Sequence, residues 1–169
     1  MDNNQYYFDA YFEFIRFADQ KISEIEKKHA GSIVCAKGCC ECCEDTSVLP
    51  IEFFSIVSAL KEKGIKPQLG QKSCALLRRS LCQIYELRPL ICRTHGLPLA
   101  YGEDEDPQMK NISFCGLNFT KKIPKFTKNN VLDMDELNIE LVTLNENFKR
   151  SFDGDLPERM ELKDLVNYL

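Results

Sequence analysis

Nine of the 169 residues are cysteine, against two histidines and no tryptophan. They stand at 35, 39, 40, 42, 43, 74, 82, 92 and 115, all in the middle of the chain. Five of them fall in one short string, Cys35-Ala36-Lys37-Gly38-Cys39-Cys40-Glu41-Cys42-Cys43. Buried free cysteine behaves as a small hydrophobe, but five packed so closely beside Lys37 and Glu41 do not read as core. In a secreted chain nine cysteines would suggest disulfides plus one odd thiol. In a reducing compartment, dense cysteines point instead to metal binding or catalysis.

Spacing sharpens this. Cys35, Cys39 and Cys42 follow C-x3-C-x2-C, which on a helix places them within about 60° of one another, and Gly38 would help them converge in a tight loop. Three or four thiolates so arranged suit tetrahedral zinc or an iron–sulfur cluster, and soft thiolate sites select these metals over hard cations. Adjacent cysteines are harder to use at one metal, because neighbouring side chains diverge on a strand and lie about 100° apart on a helix. Cys42 and Cys43 are therefore expected to serve different centres or to bridge two metals. The second group, Cys74, Cys82 and Cys92 followed by Cys115, has no diagnostic spacing alone. Together the eight cysteines 35, 39, 42, 43, 74, 82, 92 and 115 can build one or two cysteine-ligated centres, with Cys40 spare.

The surrounding charge fits this picture. Arg78, Arg79, Arg88 and Arg93 lie among Cys74, Cys82 and Cys92, and Lys37 sits inside the first string. Four thiolates around a divalent metal carry a formal charge of about −2, which nearby cations offset, and arginine N–H groups can hydrogen-bond the sulfurs. Arg93, directly after Cys92, is expected to belong to the site. His95 reads as a ligand, an acid–base group or an exposed polar residue. His29 reads as a cation at a helix C-terminus, and Glu52 as a helix-dipole residue.

Whole-chain composition excludes several classes. With 44% hydrophobic and 28% charged residues, the chain is neither disordered nor collagen-like. No apolar run approaches the roughly 20 residues that span a bilayer. The acidic, aromatic start MDNNQYYFDAYFEF has no signal-peptide pattern, so a cytoplasmic location is expected. A net charge of −4 argues against a nucleic-acid partner, and the basic stretch Lys121, Lys122, Lys125 and Lys128 reads as a solvated loop. The acidic run from Glu103 to Pro107 reads as an exposed turn.

The expected fold is mainly α, a single domain over 1–169, with helices at both ends around an irregular cysteine-rich metal-binding centre at about 31–116. Residues 5–30 repeat Phe8, Tyr11, Phe12, Ile15, Ala18, Ile22 and Ile25 at helical spacing, with Asp2, Asn3 or Asn4 as the cap and Gly31 at the end. Residues 50–63 form a second helix, with Pro50 in its first turn and Gly64 beyond it. A small β-hairpin is expected around Arg78-Arg79-Ser80, and a helical turn from Pro89 through Arg93. Residues 96–131 read as mostly loop, tethered by Cys115. Residues 135–152 are helical, with Asp133 and Glu136 as a capping pair, and a last helix is expected over about 158–169.

The string Cys35-x3-Cys39-x2-Cys42-Cys43, then Cys74, then Cys82-Gln-Ile-Tyr85-Glu-Leu-Arg88-Pro89-Leu-Ile-Cys92-Arg93 resembles the YkgJ-type cysteine-cluster family, described as zinc- or iron-chelating domains. The resemblance covers roughly residues 35–95. It implies metal-ligand roles for Cys35, Cys39, Cys42, Cys43, Cys74, Cys82 and Cys92, and supporting roles around the bound metal for Tyr85, Arg88, Pro89 and Arg93. Cys115 lies beyond the matched part and Cys40 is extra to the pattern. A related motif occurs in flagellin lysine N-methylases, which leaves an iron–sulfur oxidoreductase or a metalloenzyme related to protein lysine N-methylation as the alternative function. No GxGxxG loop follows a strand here. Radical S-adenosylmethionine enzymes share C-x3-C-x2-C but need a large α/β barrel. Thiol–disulfide exchange through Cys39–Cys42 or Cys40–Cys43 would need a βαβ setting that the pattern lacks. The spacings fit zinc and an iron–sulfur cluster equally, and name no protein partner.

Overall fold

The computed structural model describes residues 4–103, 106–152 and 154–169. Its first helix, α1 (Gln5–Lys28), buries Tyr11, Phe14, Ile15, Ala18, Ile22 and Ile25. This is the stripe its 3.6-residue period dictates, with Phe14 joining it and Phe8 and Phe12 at its half-buried margin. Asn4 caps the start without a side-chain bond; Asp2 and Asn3 lie outside the described residues. The chain leaves the helix at His29 and turns through Gly31, whose φ of +79° suits glycine.

Strand β1 (Ser47–Val48) leads into α2 (Pro50–Glu62). Nine of the thirteen α2 residues are buried, from Pro50 to Leu60. A helix apolar on nearly all sides is a central one, and α2 has a core on each flank. On one flank Ile51 joins the α1 stripe and Leu137, Leu141 and Phe148. On the other, Phe53, Ile56 and Leu60 pack with Val48, Leu76, Ile84 and Leu165.

The cysteine-bearing middle is made of short pieces. Strands β2 (Leu77–Arg78) and β3 (Leu81–Cys82) form the expected hairpin, with Leu77 opposite Cys82. Arg79 and Ser80 both take left-handed φ, +51° and +63°, the backbone of a tight two-residue hairpin turn. A 3₁₀ turn at Tyr85–Leu87 precedes α3 (Leu90–Thr94), which starts after Pro89 as expected.

Two expectations need revision. Residues 96–131 are loop over most of their length, but β4 (Leu99–Glu103) and β5 (Asp106–Ser113) pair antiparallel within them. Strand β6 (Leu132–Asp133) adds to β4 in parallel, Leu99 opposite Leu132. Gly102 lies at a register shift within β4, between Tyr101 and Glu103, and Pro107 is the second residue of β5. Long-range pairing, which local sequence does not signal, secures β4. The acidic run reaches into both strands at Glu103 and Asp106; Asp104 and Glu105 lie outside the described residues. The last helix is also revised. Strand β7 (Met160–Glu161) pairs with β1, and a 3₁₀ helix follows at Leu162–Tyr168. Leu162 N–H donates to Thr46 O, binding this end to the β1 segment. The buried pair Leu162 and Leu165 matches a period of three.

Helix α4 (Met134–Ser151) closes the first core. Asp133 caps it, accepting from Asp135 N–H at 3.2 Å. Glu136 does not complete a capping box; it pairs with Lys21 of α1 at 2.9 Å. Among the described residues no helix is long and apolar enough to cross a membrane.

Candidate metal centre

Four separate stretches bring cysteines to one place, and each is fastened by polar contacts. The first string is tied to the stretch carrying Cys74 by Ser73, whose hydroxyl donates to Cys43 O at 2.7 Å. Asp45 reinforces this, donating its N–H to Ser73 O and accepting from Ala75 N–H, both at 2.7 Å. Cys74 thus lies beside the end of the string. Cys82 is held by the hairpin, and Cys92 by α3.

Helix α3 is anchored from behind by Glu52, which is only 3% exposed. Its Oε1 accepts from Leu90 N–H at 3.0 Å and its Oε2 from Leu49 N–H at 3.1 Å. One carboxylate therefore satisfies the first turns of α2 and α3 together. Burial pushes its pKa up, opposed by those two N–H donors. The sequence reading of Glu52 as a helix-dipole residue holds for α2 and misses α3. Arg93 fixes the other end of α3 through a two-oxygen contact with Asp19 at 2.9 and 3.0 Å and a bond from Nε to Arg88 O at 2.6 Å.

The result is a cavity of about 340 Å³ lined by the thiol-bearing residues of Cys35, Cys39, Cys42 and Cys43 and of Cys74, Cys82 and Cys92. Cys40 does not line it, though it neighbours Cys43. Cys115 does not line it either, but it neighbours Cys35 and Cys42 closely enough to raise both their pKa values. Cys39 is exposed and the other eight thiols are half-buried, all nine unpaired.

Thiol electrostatics divide the cluster. Burial pushes Cys92 up to about 12, with Cys82, Cys74 and Cys43 adding and the Arg88 cation opposing. Cys43 is pushed up to about 11, again by burial first, then by Cys42, Cys74 and Cys82. Burial also raises Cys35, with Cys115 and Cys39 adding, and Cys42, with Cys39 and Cys115 adding. Cys92 feels Cys82, Cys74 and Cys43, Cys35 and Cys42 feel Cys39 and Cys115, and Cys42 and Cys43 act on each other. Neighbouring negative charges disfavour one another, and a cation held between them would relieve that repulsion.

Asn118 and Gly96 are residues that sequence reasoning missed. Asn118, 2% exposed, accepts Val34 N–H at 2.8 Å, donates to Gly96 O at 2.6 Å, and sets Nδ2 at 3.4 Å from Cys35 Sγ. Its contact lowers the Cys35 pKa against burial. Asn118 N–H also reaches Cys115 O at 2.9 Å. Gly96, at φ +96°, lies so close to Cys35 that an added Cβ would stand 2.6 Å from Sγ. The only sequence clue was their proximity to His95 and Cys115.

The flanking candidates separate. Arg88 lines the cavity, lies 3.8 Å from the Tyr85 ring centroid and donates to Cys92 O at 3.1 Å. Tyr85 also has Lys37 at 5.0 Å from its ring. Arg93 borders the cavity, yet its guanidinium is spent on Asp19 and backbone carbonyls. Arg78 turns to Gln68 and Arg79 forms the hairpin turn. His95 is exposed at the cavity. His29 is buried at the C-terminal cap of α1, the position expected for it. Its Nε2 contacts Asn130 O at 2.6 Å and its ring meets Phe119 and Phe126.

Among the described residues, no three His, Cys, Asp or Glu side chains form a closed metal-ligand set. The arrangement is a convergence of donors. Its chemistry fits zinc or an iron–sulfur cluster, because soft thiolates and a sulfur-directed N–H donor are what such groups require. No curated protein and no solved structure matches the chain. Residues 34–116 match the family model CxxCxxCC, described as "Putative zinc- or iron-chelating domain". The span takes in all nine cysteines together with Gly96, and over it the chain matches the cysteine-cluster family that its sequence resembles.

Proposed function

We propose that this chain is a cytoplasmic metal-binding protein, one domain over 1–169, whose core at about 31–116 holds zinc or an iron–sulfur cluster through cysteine thiolates. The observation that carries this reading is the cavity where seven cysteines from four separate stretches meet. The ligands are drawn from Cys35, Cys39, Cys42, Cys43, Cys74, Cys82, Cys92 and Cys115. Arg88 supplies positive charge beside Cys82 and Cys92, Tyr85 seats Arg88, and Arg93 positions α3. When bound, the metal supplies cross-linking of segments that are short on core of their own; a cluster would add electron storage. A dense set of unpaired thiols supports a reducing compartment, and the net charge of −4 speaks against nucleic acid.

A second reading, an iron–sulfur oxidoreductase or metalloenzyme related to protein lysine N-methylation, is favoured by one feature. Cys39 and His95 are exposed on the same cavity, and catalytic metal sites keep an open position.

The test is elemental analysis and an absorption spectrum on full-length protein purified without oxygen. Iron with matching sulfide and absorption near 400 nm supports the redox reading. Colourless protein with zinc supports a structural or zinc-handling role. Folded, metal-free protein that takes up neither metal overturns both.

A further inference from the structure

Four observations separate the thiols spatially. Cys74, Cys82 and Cys92 all pack against the hydrophobic cluster built on Phe53, Ile56 and Leu76, whereas Cys35, Cys39, Cys42, Cys43 and Cys115 pack against neither core. Cys43 is fastened to the stretch carrying Cys74 by the Ser73 and Asp45 bonds. Cys35 and Cys115 share one frame, since Gly96 abuts Cys35 Sγ and its carbonyl accepts Cys115 N–H at 3.4 Å, while Asn118 contacts both cysteines. Cys39 is the exposed thiol of the nine.

We infer that the chain holds two separate four-thiolate centres, divided between the adjacent Cys42 and Cys43. An inner centre uses Cys43, Cys74, Cys82 and Cys92; an outer centre uses Cys35, Cys39, Cys42 and Cys115. This rests on the reading that the thiols bind metal. The division assigns the adjacent Cys42 and Cys43, whose thiols also interact with each other, one to each centre. It places Cys115 in the outer centre with Cys35. It also makes the centres unequal. The inner one is backed by apolar core and crosslinks the hairpin, α3 and the first string. The outer one faces solvent through Cys39 and is the one that exchanges its metal.

The experiment compares full-length wild type with the double variants C39A/C115A, C82A/C92A and C82A/C115A, produced without oxygen. Zinc, iron and sulfide per chain are measured, with circular dichroism as the folding check. The division predicts that C39A/C115A keeps about half of the wild-type metal and stays folded, and that C82A/C115A, which strikes both centres, keeps little. Should the variants altered at Cys82 fail to fold, Co²⁺ titration of metal-free wild type against C39A/C115A decides. The thiolate-to-cobalt absorption then rises in two increments in wild type and in one in the variant. Total loss of metal in C39A/C115A, or a single increment in wild type, means one shared centre and overturns the division while metal binding stands. Full retention in C39A/C115A removes Cys39 and Cys115 as ligands and overturns it too. Wild type that holds no metal and takes up no Co²⁺ overturns the underlying reading.

Discussion

At Gly96 two constraints coincide, a left-handed φ of +96° and the Cys35 sulfur where a Cβ would go. Gly96→Ala should lose about 1–3 kcal/mol from the backbone alone and displace Cys35 from Asn118. Urea denaturation with metal content reads both effects; a variant that melts and loads as wild type does would show that the close approach is unimportant. Tyr11 makes the opposite case. It is fully buried beside Glu52, Arg93 and Cys92, and its hydroxyl has no hydrogen-bond partner among the described residues. Burying an unpaired hydroxyl costs roughly 1–3 kcal/mol, so Tyr11→Phe should stabilise the fold by about 1 kcal/mol. A lower urea midpoint for that variant would reveal a partner.

Among the elements, α2 and α3 are joined head to head by a single buried carboxylate. Glu52→Gln replaces one acceptor oxygen with a donor that faces an N–H, so it should cost about 1–3 kcal/mol at neutral pH. The pH dependence has a definite sign. Glu52 is raised in the folded state by burial, so its protonated form contributes stability that is present below its ordinary value and lost as pH rises through the raised one. Wild type should lose this increment across that window and Glu52→Gln should not. Urea melts stepped from acid to neutral pH isolate it as the difference between the two profiles. Parallel profiles would mean that the carboxylate titrates as it does in the unfolded chain.

For the molecule as a whole, metal binding and protonation compete for the same sulfurs. Cys43 and Cys92 are raised to about 11 and about 12, so the metal-free chain holds them as neutral thiols at pH 7. Their neutral form stabilises the metal-free fold below the ordinary thiol value. That contribution is lost as pH climbs through 11 and 12, so thermal melts of metal-free protein should fall steeply there. Metal must displace these protons, and each four-thiolate centre should release close to four on loading at pH 7. Calorimetry in buffers of different ionisation enthalpy counts them. Release near zero would mean that the thiols are already ionised. Affinity should fall as pH drops, because protons then win the sulfurs.

What local sequence determines here is what short-range physics controls. The helical period of residues 5–30 sets α1, Pro50 and Gly64 frame α2, and the paired apolar runs about Arg79 set the hairpin. Cysteine count and spacing put forward eight candidate donors, seven of which line the cavity, while Cys115 does not. Everything decided by contacts far apart in sequence was illegible. Pairing of β4 with β6 and of β1 with β7 depends on partners dozens of residues away, so one stretch read as loop and another as helix. Glu52 bridging to Leu90, and Asn118 and Gly96 framing Cys35, are likewise long-range. Thiols come together as donors because of residue type and spacing. Which of them share a partner follows from burial, since only the folded chain sets Cys74, Cys82 and Cys92 against an apolar core and leaves Cys39 in solvent.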